Sequence, residues 1–167
     1  MMVVSMPAID SLPERRGPRP RTTPANPHQQ LDQNAPPRLQ EALFERARAL
    51  PGVRVGPSGI SVPGARAFIL DEELAAGPPE AFMIGREFAH LHPPYDGSLH
   101  LMLPEATARV VVAKGWGELH PVARRGWLPP TAMMVYGPRD DDELEVVWTI
   151  LQACYAFARG AQPGGRG

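Results

Sequence analysis

Four of the five histidines in the chain fall between residues 90 and 120, and these four are His90, His92, His100 and His120. An imidazole titrates near neutral pH, so it can take up and return a proton, and its neutral form can bind a metal ion. A turn centred on Tyr95 would pair the flanking segments antiparallel and set His90 opposite His100, with Cβ atoms about 5 Å apart. Because side chains alternate along a strand, His92 and Arg86 are predicted to share that face.

Residue types alone leave three interpretations of this histidine cluster open. The imidazoles could be hydrogen-bonded polar residues on a half-exposed sheet face. They could bind Zn or Fe, because an HxH pair with a third or fourth imidazole supplies suitable nitrogen ligands. They could also perform metal-free acid/base chemistry, with Asp96 nearby and with Arg86 holding an enolate or carboxylate.

The elements that position the cluster are predicted from periodicity. A Pro at the first helical position and apolar residues spaced four, four and three residues apart predict a helix from residue 37 to a stop at Pro51 and Gly52. These apolar residues are Leu39, Leu43, Ala47 and Leu50. Short alternating or β-rich segments then predict the strands of a meander, at residues 53–55, 59–62, 65–70, 82–92, 98–103 and 131–136. On the strand after the turn, His100 faces away from the leucines.

Two more helices follow. One begins at Pro104 and ends at Lys114 and Gly115, a basic last turn with a C-terminal glycine. A loop containing Trp116, His120 and Trp127 comes next. The last helix begins at the acidic run 140–143, which favours a helix start. The order predicts an α+β fold, a mainly antiparallel sheet packed on one face by an N-terminal, a mid-chain and a long C-terminal helix.

Composition limits the class of protein. A net charge of −1 gives no electrostatic reason to expect a nucleic-acid or membrane partner, and one cysteine excludes an intramolecular disulfide. No membrane span or signal peptide is recognisable, so the chain is expected to be soluble and cytoplasmic. Many of the 21 prolines precede residue 37. Residues 1–36 are predicted to be a disordered leader, 37–159 one domain and 160–167 a disordered tail.

Several motifs occur in a fixed order, within the runs REFAHLHPPYDGSLHLML from Arg86, KGWGELHPVA from Lys114 and MVYGPRDDDELEVV from Met134. Their order resembles the domain of the fungal luciferases and their bacterial relatives, over residues 65–157, and the chain is identified as a bacterial-type member. The helix stop ALPGV before a meander is also similar to the start of the MmcQ/YjbR group, which implies a fold and no function.

The best-known members of the luciferase family oxidise 3-hydroxyhispidin, a hydroxypyrone, with molecular oxygen. They emit light as an endoperoxide loses carbon dioxide, without flavin, haem or metal. The resemblance implies a cofactor-independent oxygenase for a small enolisable or hydroxypyrone-like substrate. A non-catalytic small-molecule-binding module and a Zn or Fe metalloprotein are the alternatives, and the oligomeric state is left open.

The resemblance also implies roles for the residues that match the family's motifs. His90 or His100 would be the base, and Arg86 or Arg139 would stabilise the anion. The implied catalytic set is His90, His92, His100, His120, Arg86 and Asp96. The implied substrate-binding set is Trp116, Tyr136, Arg139 and Glu87, with the first two lining a planar ring pocket.

Overall fold

An antiparallel sheet forms the centre of the computed structural model, which describes residues 4–124, 126, 129 and 131–162. Its six strands in these residues are β1 (Val53–Pro57), β2 (Arg66–Leu70), β3 (Glu87–Leu91), β4 (Leu99–Met102), β5 (Gly117–Leu119) and β6 (Ala132–Val135). Their order across the sheet is β1-β2-β3-β4-β6-β5. The first four strands therefore form the predicted meander, and β6 inserts between β4 and β5.

The described helices are α1 (Pro37–Arg48), α2 (Glu105–Ala113), α3 (Pro121–Arg124) and α4 (Asp141–Ala158), with 3₁₀ turns at Glu72–Leu74 and Pro79–Ala81. Helix α4 has the predicted acidic start, because the Asp140 carboxylate accepts a 2.8 Å hydrogen bond from the Glu143 N–H. Helix α2 ends as predicted, with Gly115 at φ 88° after Lys114. None of the described helices is long and apolar enough to cross a membrane.

The apolar core lies between the sheet and helices α1 and α4. Phe88 of β3 packs against Tyr155 of α4 with ring centroids 6.0 Å apart, and Leu99 and Leu101 of β4 are fully buried. Their neighbour His100 lies on the opposite face of β4. The predicted α+β fold, with helices packed on an antiparallel sheet, is confirmed.

Three local predictions are wrong. Strand β3 begins at Glu87, whereas the sequence predicted a strand from residue 82. Residues 59–62 form a loop and no strand, because the Ser58 hydroxyl accepts hydrogen bonds from the backbone N–H groups of Ile60 and Ser61. The predicted loop after α2 contains strand β5. A Cβ at Gly117 would lie 2.3 Å from the Met134 carbonyl oxygen, so only glycine permits this approach. Trp127 lies outside the described residues.

The segment predicted to be a disordered leader takes a defined path along the domain from residue 4 onward. The Arg15 N–H donates to the Lys114 carbonyl at 2.9 Å, and the Pro13 carbonyl accepts from the Trp116 indole at 2.7 Å. His28 and Gln30 are buried. Composition underestimates the order of this segment, because the segment is attached mainly by polar contacts and contributes few large apolar groups. The predicted tail, 160–167, is described only to residue 162.

Candidate active site

Strands β3 and β4 bring three histidines together on the sheet face opposite α4. The register pairs His90 with His100, which confirms the predicted cross-strand pair. Nδ1 of His100 lies 3.1 Å from Nε2 of His90 and 3.0 Å from Nε2 of His92. All three side chains are buried, with at most 5% of each residue exposed. Burial, followed by the neighbouring imidazoles, lowers the pKa of His100 well below its ordinary value.

A β-bulge in β3 determines which neighbouring side chain contacts His90. Ala89 pairs with Phe68, and Glu87 pairs with Ile69, so Phe88 is an extra residue in β3. This bulge reverses the alternation of side chains before it. Glu87 therefore reaches Nδ1 of His90 at 2.8 Å, whereas Arg86 lies 3.6 Å from Glu72 at the surface. The predicted placement of Arg86 on the histidine face is wrong for this reason.

Glu87 is a buried carboxylate with several donors. Besides His90, its oxygens accept hydrogen bonds from the Ser58 hydroxyl at 2.8 Å and the Gly59 N–H at 3.0 Å. Burial opposes ionisation of this group, but the hydrogen bonds outweigh it and lower the pKa of Glu87. The ionised carboxylate can only accept, so it fixes the N–H of His90 at Nδ1.

Asp96 performs the same task for His92. Its carboxylate lies 3.2 Å from Nδ1 of His92, and Ser98 Oγ lies 2.9 Å from the same nitrogen. The backbone N–H groups of Ser98 and Gln30 also donate to Asp96, at 2.9 and 3.1 Å. Burial would raise the pKa of Asp96, yet the hydrogen bond and charge of His92 hold it below its ordinary value.

The N-terminal segment contributes a fifth histidine, which the sequence interpretation assigned to the leader. Nδ1 of His28 lies 2.9 Å from Nε2 of His100, and Nε2 of His28 lies 3.0 Å from a carboxylate oxygen of Glu118. Tyr136 donates to Glu118 at 2.9 Å. The pKa of Tyr136 is raised to about 12, and burial is the main cause. Glu118 could have been found from sequence, because alternation on KGWGELH places it on the same face as His120.

His120 reaches the cluster directly after β5. Its backbone N–H donates to the Ala132 carbonyl at 3.1 Å, which continues the pairing with β6. Its ring centroid lies 4.5 Å from that of His100 and 5.1 Å from that of His28. His120 is half-buried, whereas the other four histidines are buried.

A cavity of about 560 Å³ opens over the cluster. Its wall contains all five histidines together with parts of the N-terminal segment, the β1–β2 loop and β6. The lining residues are Asn26, Pro27, His28, Gln29, Ile60, Ser61, Val62, Met83, His90, His92, His100, His120, Ala132 and Met133. This volume and largely apolar wall suit a small flat organic molecule.

The four residues implied to bind substrate lie outside this lining. Trp116 belongs to the hydrophobic core, and Tyr136 donates to Glu118, which in turn contacts His28. Arg139 pairs with Glu143 at 2.6 Å near the start of α4. Glu87 lies behind His90 and orients it.

Two groups of histidines have nitrogens close enough to hold a metal ion. His90, His92 and His100 form one group, and His28, His100 and His120 form the other. Within each group the nitrogens lie within 4.8 Å of one another. The arrangement can therefore bind a cation or move a proton along linked imidazoles.

Comparison with known proteins adds a family context. Residues 85–154 match the family model described as "Luciferase domain". The chain is 33% identical over 166 residues to a luciferase of Armillaria mellea, covering 89% of this chain and 62% of that protein. It is 40% identical over 74 residues to a luciferase of Neonothopanus nambi, covering 43% of this chain and 28% of that protein. No solved structure is significantly similar.

The chain spans 62% of the length of the Armillaria relatives. The family model ends inside α4, and its residues 85–154 contain four of the five histidines. The fifth, His28, precedes the residues that match the family model. Its assignment to the histidine cluster therefore rests on its contact with His100 in this structure.

Proposed function

We propose that the chain, which matches the luciferase-domain model over residues 85–154 and resembles the Armillaria luciferases, is an oxygenase-type oxidoreductase that oxidises a small enolisable, hydroxypyrone-like substrate with molecular oxygen. The observation that carries this proposal is the cavity of about 560 Å³ with five histidines in its wall. The relatives it resembles are named luciferases, which makes an oxygen-consuming reaction the chemistry to test first.

The cavity provides the two conditions that the reaction requires. Ile60, Val62 and Met83 supply apolar surface for a flat ring, and the histidine cluster supplies a proton acceptor on one wall. Removal of the enol proton makes the adjacent carbon electron-rich. That carbon then gives two electrons to oxygen as a C–O bond forms, and the proton returns to the distal oxygen. The product is a hydroperoxide that contains every atom of substrate and oxygen.

The anion is stabilised from the histidine wall in this proposal. Arg86 and Arg139, the cations implied by the resemblance, pair with carboxylates away from the cavity. The developing negative charge therefore depends on groups at the cluster itself.

Oxygen consumption tests the proposal. Purified protein is offered a panel of hydroxypyrones and related enols, each beside its O-methyl ether, which has no enol proton to lose. We expect oxygen uptake with at least one enol and none with its ether. Photon counting on the same samples shows whether light accompanies the reaction.

A second test blocks the cavity with one substitution and uses a neighbouring exposed substitution as the matched control. Ser61 lines the cavity, whereas Pro63 lies exposed in the same loop. We expect Ser61→Trp to lower kcat/KM by about tenfold or more, which corresponds to about 1.4 kcal/mol in transition-state binding, and Pro63→Trp to leave it unchanged. No uptake with any enol, or equal rates for Ser61→Trp and the unaltered protein, contradicts the proposal.

A further inference from the structure

The buried floor of the cavity has the ligand arrangement of a metal centre. We propose that His90 Nε2, His92 Nε2 and His100 Nδ1 together bind one divalent transition-metal ion, Zn²⁺ or Fe²⁺, and that the ion's remaining coordination position faces the cavity. The inference concerns binding by these side chains. Because the ion takes up their three inward lone pairs, the oxidation proposed above, which uses a histidine as proton acceptor, is then expected of the metal-free chain.

The distances fit such an ion. Zinc–nitrogen bonds of about 2.05 Å in tetrahedral geometry separate two ligand nitrogens by about 3.3 Å. The nitrogens of His90 and His92 lie 3.1 and 3.0 Å from Nδ1 of His100. An outward shift of a few tenths of an ångström at each ring would accommodate the ion, and all three rings line the cavity from which it would enter.

The outer nitrogens explain why the inner ones face each other. Nδ1 of His90 donates to Glu87 at 2.8 Å, and Nδ1 of His92 lies 3.2 Å from Asp96. An ionised carboxylate only accepts, so both N–H groups point outward and both Nε2 atoms present a lone pair inward. A carboxylate behind each ligating histidine is the usual outer shell of a metal-binding imidazole.

His100 is fixed in the same sense through a relay. In neutral His28, donation from Nε2 to Glu118 at 3.0 Å leaves Nδ1 as an acceptor. That nitrogen lies 2.9 Å from Nε2 of His100 and accepts a hydrogen bond from its N–H. Nδ1 of His100 is therefore left with a lone pair that faces the other two.

Nε2 of His90 and Nε2 of His92 each lie about 3 Å from Nδ1 of His100, and lone pairs that face each other at this distance need a positive charge between them. A bridging proton joins only two nitrogens and leaves the third facing a lone pair, whereas one metal ion satisfies all three. The other group, His28, His100 and His120, competes less well because the His100–His28 hydrogen bond occupies the two nitrogens that would have to bind. Neutral imidazoles are ligands for Zn and Fe in particular.

Metal binding is measured on the full chain, purified without a histidine tag and stripped by chelation. Zn²⁺, anaerobic Fe²⁺ and the spectroscopic probe Co²⁺ are each added alone, and binding is followed by calorimetry, elemental analysis and the Co²⁺ absorption spectrum. We expect one ion per chain and a Co²⁺ spectrum typical of nitrogen ligands in a low-coordinate site.

Variants distinguish the two histidine groups. His92→Ala is expected to abolish stoichiometric binding, and His120→Ala, the matched histidine control, is expected to retain it. Glu87→Gln keeps the size and shape of the side chain. It should weaken metal binding about 10- to 100-fold, because His90 loses its carboxylate partner. The Glu87→Gln result also covers the case in which His92→Ala fails to fold. Binding that survives in His92→Ala, loss of binding in His120→Ala, or the absence of stoichiometric binding by the unaltered chain would overturn the inference.

Discussion

The two faces of the sheet are built by opposite rules, and the difference is clearest along β4. Leu99 and Leu101 point into a core closed by α1 and α4, where apolar side chains of about the right volume suffice. His100, between them, points into a network in which each nitrogen has a specific partner. Successive side chains of a strand point to opposite faces, so neighbouring residues of β4 belong to the apolar core and to the histidine network in turn.

This difference determines what each face tolerates. The helix face gains stability from buried area, which is roughly additive and insensitive to exact geometry. The histidine face contains buried carboxylates and imidazoles whose removal leaves another polar group without its partner. We therefore expect substitutions on the helix face to change stability alone, and substitutions on the histidine face to change binding and activity as well as stability.

The largest expected effect on stability is at Leu101. Leu101→Ala leaves a cavity beneath α4 and should lower the free energy of unfolding by about 2–5 kcal/mol, while metal content per folded molecule stays unchanged. Urea unfolding followed by circular dichroism measures the loss. Val55→Ala, at an exposed position of β1, is the control and should cost less than about 0.5 kcal/mol. A small loss at Leu101, or a loss of bound metal there, would mean that the faces are not independent.

His28 tests whether the N-terminal segment belongs to the histidine face. His28→Ala removes the partner of both His100 and Glu118, so we expect a loss of about 1–3 kcal/mol, measured in chelator to exclude any contribution of metal. Asn26→Ala, two residues away and exposed, should have little effect. Equal stability of the two variants would show that the segment is dispensable to the cluster.

Sequence periodicity predicts the helix face well, because it needs only the spacing of apolar residues. The apolar spacing of α1 and the acidic start of α4 are both visible in the chain, and the pairing of His90 with His100 follows from alternation about Tyr95. These features are local, or they extend across a single turn.

The rest of the histidine face depends on contacts that spacing does not encode. The bulge at Phe88 arises from pairing with β2 and exchanges Arg86 for Glu87 beside His90. His28 is 72 residues from its partner His100 in the chain, in a proline-rich segment with no periodicity. A polar partner of this kind is recognised only from its position in space.

The smallest expected effect is a pH dependence on the helix side, at the start of α4. Glu143 is 2% exposed, and although burial opposes its ionisation, hydrogen bonds from Arg139 lower its pKa from the ordinary value of 4.5. A carboxyl whose pKa is lower in the folded state stabilises the fold fully above the unfolded value, and this contribution is lost as the pH falls through the folded value.

Glu143→Gln should therefore lower the free energy of unfolding by about 1 kcal/mol at neutral pH, and the difference from the unaltered chain should shrink once the pH falls below about 4.5. Urea unfolding at a series of pH values measures this difference. Glu145→Gln is the control, because Glu145 is paired with Arg46 but is largely exposed, which weakens its contribution. A difference that grows on acidification would show that Glu143 is not held ionised by Arg139. It would also sharpen the distinction between the faces, because the helix face would then depend on packing alone.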